Sequence, residues 1–141
     1  MKKQLLVCIL CITYGITHAQ SNDEKAIHNL LAQQVTQWNA GSIDGYMHGY
    51  WNNDSLQFIG RSGPRYGYKT TLEKYKEAYP DTAHMGKLSF TVTNAKRLSP
   101  DYFFITGLWV LKRTVGDVSG ASTLLVHKIK GKWVIVSDHS S

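Results

Sequence analysis

The two residues best suited to chemistry stand side by side near the end of the chain, at Asp138 and His139. A carboxylate buried beside tyrosines can act as a general base because burial raises its pKa, and a histidine can do so without any shift. Neighbouring residues of a strand point to opposite faces, so we expect only one of the two to face a cavity. The alternative role for each is a structural hydrogen bond that closes the last strand.

A set of aromatic residues is the second feature with chemical potential. Rings that carry phenol groups suit a flat or ring-shaped organic ligand, since they cover its apolar body and fix its orientation. The alternative is that the same rings fill the core of a small domain, and we expect core packing for Trp38 and Trp133. The predicted ligand-binding residues are Tyr46, Tyr50, Trp51, Tyr66, Tyr75, Trp109 and Thr123.

The pairing of the last two predicted strands decides which of the adjacent candidates faces inward. A two-residue turn at Lys130-Gly131 brings Thr123 opposite Asp138 if the pairing is regular. Asp138 and Thr123 then share one face, whereas His139 lies on the face of Trp133. A slip of one residue exchanges the two faces, so either candidate stays open.

Metal, phosphate and nucleic-acid chemistry find little support in the sequence. Gly60 and Gly63 belong to a loop without the lysine of a phosphate-binding loop, and the histidines include no i, i+4 pair or compact cluster. We therefore expect neither a metal nor a cofactor. The basic residues are scattered rather than concentrated in one stripe, so we expect no nucleic-acid partner.

The N-terminus has the layout of a secretory signal peptide. Lys2 and Lys3 precede an apolar stretch over residues 5–16, and Ala19 offers a small residue at the cleavage point. That stretch is shorter than the roughly twenty residues that span a bilayer. A buried first helix or strand of the domain, or a lipoprotein anchor, are the alternatives. We predict a signal peptide at 1–19, one domain at 20–141, export to the periplasm or the medium, and no membrane association after cleavage.

Cleavage of the signal peptide changes the available chemistry. Cys8 and Cys11 are the only two cysteines, so the mature domain has no thiol and no disulfide. The formal charge falls from +6 to +4 when Lys2 and Lys3 are removed. Phosphorylated metabolites and nucleotide cofactors are scarce outside the cytoplasm, so export favours an uncharged or weakly charged organic ligand that needs no cofactor.

The hydrophobic pattern predicts helices first and strands last. The predicted helices, each preceded or opened by a capping residue, cover 21–40, 42–50 and 70–79. Residues 60–67 are predicted to form a loop or a tight hairpin. The predicted strands cover 55–59, 87–98, 102–113, 122–130 and 132–139. This order indicates an α+β, cone-shaped fold in which helices pack on one face of a strongly curved antiparallel or mixed sheet.

The predicted strand at 102–113 is apolar on both faces. One face carries Phe103 and Ile105, and the other carries Phe104 and Leu108. The helices cover only one of these faces, and a second copy of the same sheet is the simplest cover for the other. We therefore predict a homodimer through the sheet face.

The order of elements and two short motifs resemble the nuclear transport factor two-like superfamily. The motifs are Trp38-Asn39-Ala40-Gly41 and Gly131-Lys132-Trp133, the latter followed by His139 and Ser141. The chain is most similar to the SnoaL-like branch that includes relatives of the association domain of calcium/calmodulin-dependent protein kinase. The resemblance covers residues 22–141. It implies a cone-shaped fold, a pocket between helices and sheet with its mouth near Tyr50 and Trp51, and frequent homodimers.

The resemblance leaves the function open, because the superfamily contains isomerases, cyclases, dehydratases, hydrolases and non-catalytic members. Its steroid isomerases use an acidic base with a tyrosine and an acidic oxyanion donor. Asp44, Asp54 and Asp101 stand in turns or at a helix start, so that set cannot be placed on this chain.

Two functions therefore follow from the sequence. The first is an exported small-molecule-binding or dimerisation module without chemistry. The second is a cofactor-free acid–base enzyme on a small organic substrate, with Asp138 or His139 as the base and Tyr50 or Tyr46 as the proton donor.

Overall fold

The structure is a computed structural model that describes residues 10–141, with side chains from residue 22 onwards. Residues 1–9, the first part of the predicted signal peptide, lie outside the described residues. The helices are α1 (Leu10–Asn39), α2 (Ile43–Met47), α3 (Tyr68–Ala78) and α4 (Thr82–Met85). The strands are β1 (Gln57–Gly60), β2 (Gly63–Tyr66), β3 (Lys87–Ser99), β4 (Tyr102–Lys112), β5 (Val118–Ile129) and β6 (Lys132–Ser140). No helix in this part of the chain is both long and apolar enough to cross a bilayer.

One six-stranded sheet in the order β2-β1-β6-β5-β4-β3 carries the fold. All neighbouring strands are antiparallel except β1 and β6, which run parallel. Register shifts interrupt the β3–β4 and β5–β6 pairs, and such bulges bend a strand and increase the local twist. The helices cover the inner face, which confirms the predicted cone-shaped α+β fold with a mixed sheet.

The long helix α1 buries one apolar stripe against the sheet. Ile27, Leu31 and Trp38 are buried at spacings of four and seven residues, which place them on one helix face. One turn before Ile27, Asp23 accepts hydrogen bonds from Lys128 and Trp133 in the last hairpin. The helix therefore lies firmly across the sheet and closes one side of the interior.

The predicted helix starts are only partly correct. The Ser42 hydroxyl accepts a hydrogen bond from the Gly45 amide at 2.9 Å, which confirms the predicted cap of α2. The prediction for the first helix is wrong, because α1 begins at Leu10 rather than at Ser21. The capping box predicted at Thr70 is also wrong, since α3 begins at Tyr68, before that residue. The short helix α4 has no counterpart among the elements predicted from the sequence.

The two faces of β4 differ as predicted. Phe103 and Ile105 are buried beneath the helices, whereas Phe104 is 36% and Leu108 is 53% exposed on the outer face. In the single chain, the outer face of the sheet therefore exposes apolar side chains to solvent.

The last hairpin turns where the sequence predicts, but its pairing is not regular. Lys130 and Gly131 both have positive φ angles, of 49° and 78°, as a two-residue type I′ turn requires. Val126 pairs with Ile135, yet Leu125 already pairs with Ser137. Val136 is therefore an extra bulge residue in β6.

The bulge overturns the predicted partner of Asp138. Beyond Val136, Asp138 pairs with Leu124, and Thr123 pairs with His139. The expected Thr123–Asp138 pair is wrong because the extra residue shifts the register by one position.

Candidate functional site

The bulge in β6 turns Asp138 into the interior. Trp133 and Ile135 face inward before the bulge, and strict alternation would point His139 inward after it. With Val136 inserted, Asp138 takes the inward position and is only 3% exposed, whereas His139 is exposed. The expected arrangement, with His139 on the face of Trp133, is therefore wrong, and His139 lies outside the interior.

Asp138 lines a cavity of about 620 Å³ between the helices and the inner face of the sheet. Among the described residues of the lining it is the only acidic side chain. No group of three or more His, Cys, Asp or Glu side chains suited to a metal ion occurs in the described part of the chain. Aromatic rings make up much of the wall, contributed by Trp38, Tyr46, Tyr50, Phe58, Tyr75, Tyr79, Phe90 and Trp109.

A chain of hydroxyl groups surrounds the Asp138 carboxylate. The Tyr50 hydroxyl donates to Oδ2 at 2.7 Å, and the Ser140 hydroxyl donates to Oδ1 at 2.7 Å. The chain extends from Tyr50 to the Tyr46 hydroxyl at 3.2 Å and from Ser140 to the Ser122 hydroxyl at 2.7 Å. We call these five residues the Asp138 network. It links the carboxylate to hydroxyl groups on α2, β5 and β6.

Burial sets the protonation of this network. It raises the pKa of the Asp138 carboxyl to about 6, although the hydrogen bonds from Tyr50 and Ser140 oppose the rise. Burial, followed by the charge of Asp138, raises the pKa of Tyr46 to about 12, and both effects raise the pKa of Tyr50 well above its ordinary value. Near neutral pH the tyrosines therefore stay neutral donors, whereas Asp138 can gain or lose a proton.

Backbone contacts hold Tyr50 at the carboxylate. Ile135 in β6 donates its amide to the Gly49 carbonyl and accepts from the Trp51 amide, both at 2.9 Å. This bridge fixes the segment around Tyr50 alongside the strand that carries Asp138. Gly49 is needed there, because a Cβ at that position would stand 2.6 Å from the Gln34 side chain.

Edge-on ring contacts hold the second tyrosine. The Tyr46 ring lies 5.0 Å from Trp38 and 5.5 Å from Tyr75 between centroids, both in T-shaped arrangements. Such pairs stabilise by about 0.5–1.5 kcal/mol beyond the area they bury. Gln34 also donates to the Tyr46 carbonyl at 3.0 Å. The aromatic wall is therefore assembled from α1, α2 and α3 with fixed ring positions.

Four of the seven predicted pocket residues line the cavity, namely Tyr46, Tyr50, Tyr75 and Trp109. The other three do not. Trp51, although it follows Tyr50 directly, is not among the residues that line the cavity. Tyr66 is 57% exposed, and Thr123 shares the outer face with His139. Their expected placement in the pocket is corrected accordingly.

Several lining residues could not be picked out from the sequence. Ser122 and Ser140 complete the Asp138 network, but short hydroxyl side chains carry no periodic signal that marks them. Phe58 stands beside Asp138 through the parallel β1–β6 pairing, which joins segments about eighty residues apart. The basic residues of the lining look like scattered surface charge in the sequence. They are Arg61, Arg65, Lys74 and Arg113.

Comparison with solved structures shows the family. An NTF-2 like protein of unknown function from Shewanella oneidensis MR-1 is 43% identical, with a TM-score of 0.81 over 84% of this chain and 98% of that chain. The chain therefore belongs to the nuclear transport factor 2-like family. This confirms the predicted superfamily, whereas the narrower SnoaL-like assignment stays a prediction. No protein-family model matches the sequence, and no curated protein matches it either.

More distant structures share the fold alone. A hexachlorocyclohexane dehydrochlorinase is 16% identical with a TM-score of 0.69, over 89% of this chain and 88% of that chain. A ketosteroid isomerase-like protein from Erwinia carotovora atroseptica is 17% identical with a TM-score of 0.64, over 83% and 93%. The fold thus occurs in an enzyme as well as in proteins of unknown function, and the site itself has to decide the function.

Proposed function

We propose that the cavity binds a small organic substrate and that Asp138 exchanges a proton with it, without a cofactor. One observation carries the proposal: a carboxyl with a pKa of about 6 lines a cavity of about 620 Å³. A group with a pKa near the working pH is both a competent base and a competent acid. The neutral hydroxyl groups of Tyr46 and Tyr50 lie beside it, with Tyr50 donating to Asp138 and Tyr46 hydrogen-bonded to Tyr50.

The simplest step for this arrangement is proton abstraction next to a carbonyl group. Ionised Asp138 takes the proton, the electrons of the C–H bond form a C=C bond, and the carbonyl oxygen becomes an enolate oxygen. Once Asp138 has taken the proton, the Tyr50 hydroxyl, which donates to the ionised carboxylate, can turn its hydrogen to that oxygen and stabilise it. Return of the proton from Asp138 to the same or another carbon completes an exchange or an isomerisation. A positioned base of this kind contributes typically about 10²–10⁴-fold to the rate.

Hydrogen–deuterium exchange of 2-tetralone tests this chemistry without knowledge of the natural substrate. Proton NMR in D₂O follows loss of the signals next to the carbonyl group. We expect the wild-type protein to accelerate exchange over buffer and Asp138→Asn to remove the acceleration, while His139→Asn leaves it unchanged. Equal rates for wild-type protein and Asp138→Asn would contradict the proposal.

A binding module without chemistry is the second candidate, and one observation favours it. Both carboxylate oxygens of Asp138 already accept a hydrogen bond inside the protein, so the carboxylate is satisfied without a ligand. In that case Asp138 shapes the floor of a pocket. Tetralone would then bind, as seen by line broadening of its signals, but it would not exchange.

Export to the periplasm or the medium is proposed on the N-terminal layout of Lys2, Lys3 and the following apolar stretch. Expression of the full chain in a Gram-negative host, followed by fractionation and intact mass measurement, tests this. We expect protein in the exported fraction whose mass corresponds to a chain that begins at Gln20. A cytoplasmic protein of full-length mass would contradict export.

We also propose that two copies associate through the outer sheet face. Its support is the exposed apolar pair Phe104 and Leu108 on β4, on the face opposite the one that the helices cover. Isologous pairing of one patch with itself closes a twofold dimer and hides the patch from water.

A further inference from the structure

The cavity lining is strongly biased towards positive charge. Arg61, Arg65, Lys74 and Arg113 line it, and Asp138 is the one acidic side chain among the described lining residues. Lys74 is paired with Glu77, whereas none of the three arginines has a carboxylate partner within 4.0 Å in the part of the chain that the structure describes. The arginines come from the β1–β2 hairpin and from the end of β4, so separate elements bring their charges to one cavity.

Arg65 stands in one row with the catalytic candidate. It pairs with Phe58 across β1 and β2, and Phe58 pairs with Asp138 across β1 and β6. Residues in such a row face the same side of a sheet, and two strand spacings separate the ends of the row by about 10 Å. The guanidinium carbon lies 5.0 Å from the centre of the Phe58 ring. Phe58 thus forms an apolar surface between the Arg65 guanidinium and the Asp138 carboxylate. The length of this surface, about 10 Å, suits a two-ring ligand.

Arg113 approaches the cavity from the end of β4, three strands away from β1 in the sheet. Its Nε donates to the Gly116 carbonyl at 2.7 Å, which leaves the outer guanidinium nitrogens available. Burial raises the pKa of Tyr79, and the charge of Arg113 opposes that rise, so the guanidinium lies near the Tyr79 hydroxyl of the lining. The β1–β2 hairpin and the end of β4 therefore each contribute a cation.

We infer that the cavity takes an organic carboxylate with an apolar ring body, whose anionic group binds the arginines and whose opposite end reaches Asp138. The guanidinium fork matches a carboxylate in two parallel hydrogen bonds, and the aromatic wall covers the rings. This inference rests on the proposed use of the cavity, and it replaces the expectation of an uncharged or weakly charged ligand.

A pair of probes that differ only in charge tests the inference by isothermal titration. The probes are 6-hydroxy-2-naphthoate and 6-hydroxy-2-naphthamide, which share the ring body and the hydroxyl end. We expect the naphthoate to bind at least about tenfold more tightly, as charge-assisted hydrogen bonds allow. Raising sodium chloride from 50 to 500 mM should weaken the naphthoate and leave the amide unchanged, roughly as screening of exposed charges requires.

Arginine variants identify the cation. Arg65→Gln and, separately, Arg113→Gln should reduce the affinity for the naphthoate about five- to tenfold, roughly the loss of one charge-assisted hydrogen bond. Neither variant should change the affinity for the amide. Lys96→Gln is the matched control, because Lys96 is an exposed base on β3 outside the cavity. Thermal melting of each variant shows whether the fold is retained.

The outcomes separate this inference from the proposed function. Equal affinities for the two probes, no binding of either, or equal losses for both in the arginine variants would overturn the organic carboxylate. Exchange of tetralone by the wild-type protein would still support proton transfer in that case. Selective binding of the naphthoate without any exchange of tetralone would support the carboxylate ligand and overturn the acid–base function.

Discussion

Asp138 owes its chemical character to the groups that surround it rather than to its neighbour in sequence. Burial disfavours the charged form, and the Tyr50 and Ser140 hydroxyls only partly compensate. The sequence indicates both Asp138 and His139 as candidates, but a choice between them depends on a single bulge residue. Tyr46 and Tyr50 could be predicted as pocket residues because both fall within the helix predicted over 42–50, near the expected mouth. The serines could not, since their role follows only from the three-dimensional pairing of β5 and β6.

The raised pKa of Asp138 predicts a pH-dependent stability. Its folded pKa of about 6 exceeds the ordinary value of 3.8, so the folded state holds the proton more tightly than the unfolded state. The favourable contribution is fully present below the ordinary value and is lost as pH rises through about 6. We expect Asp138→Asn to raise the free energy of unfolding at pH 7 by about 1–3 kcal/mol. The gain should vanish near pH 4.

Urea denaturation of both proteins at pH 4, 5.5 and 7 measures this effect. His139→Asn, which alters the exposed neighbour, is the control and should be neutral. A destabilised Asp138→Asn protein at pH 7 would show that the ionised carboxylate stabilises the fold, which is the opposite of the predicted sign.

The hydrogen bond from the Tyr50 hydroxyl predicts that removal of this hydroxyl raises the Asp138 pKa. It donates to ionised Asp138 and lowers the carboxyl pKa. Tyr50→Phe removes this donor, so the Asp138 midpoint should move upwards from about 6. Carbon-13 NMR of the labelled carboxyl follows the titration, and Tyr102→Phe is the control because Tyr102 stacks on His127 outside the cavity. A downward or absent shift in Tyr50→Phe would contradict the assigned hydrogen bond.

At the scale of elements, the sequence predicts the helices and strands that have a regular hydrophobic repeat. It does not predict the irregularities that interrupt such a repeat. The long strands β3 to β6 and the amphipathic α1 follow from clear hydrophobic repeats. The bulge at Val136 lies in the run Trp133 to Val136, where every residue is apolar and either register buries a similar surface. The start of α3 differs from the prediction because Gly67, with a φ of 92°, takes the position that precedes the helix, without a side-chain cap.

The turn that precedes β6 offers a stability prediction. Lys130 adopts a φ of 49°, which is unfavourable for a lysine but natural for asparagine. Lys130→Asn should therefore raise the free energy of unfolding by about 0.5–1 kcal/mol. Lys132→Asn, at an extended strand position, is the control and should be neutral or destabilising. Urea denaturation measures the free energy of unfolding of both variants. A destabilised Lys130→Asn protein would contradict the assigned turn.

At the scale of the whole molecule, the two faces of the sheet differ in what they carry. The inner face carries the cavity and Asp138, while the outer face carries the apolar residues of β4. The superfamily could be predicted from the order of elements and from short motifs at Trp38 and Trp133. Oligomeric state and cellular location stay predictions, since they depend on surfaces and segments beyond one folded chain.

The proposed dimer predicts a selective response to charge on the outer face. Leu108 is 53% exposed on β4, and Leu108→Glu would place two carboxylates within one isologous interface, which disfavours association. Light scattering after size exclusion should give twice the chain mass for the wild-type protein at micromolar concentration and the chain mass for the variant. Val115→Glu, which changes an equally exposed loop residue, should remain dimeric. A monomeric wild-type protein would contradict the proposal.

The pH dependence of tetralone exchange tests the central claim, that Asp138 is the proton-exchanging group of the cavity, most directly. The rate of the wild-type protein, after subtraction of the Asp138→Asn rate, should rise from pH 5 and level off above pH 7. Its midpoint should lie near the Asp138 pKa of about 6, because only the ionised carboxylate accepts the proton. A difference of zero across this range, or a rate that has already levelled off at pH 5, as the ordinary carboxyl pKa of 3.8 would give, would contradict the claim.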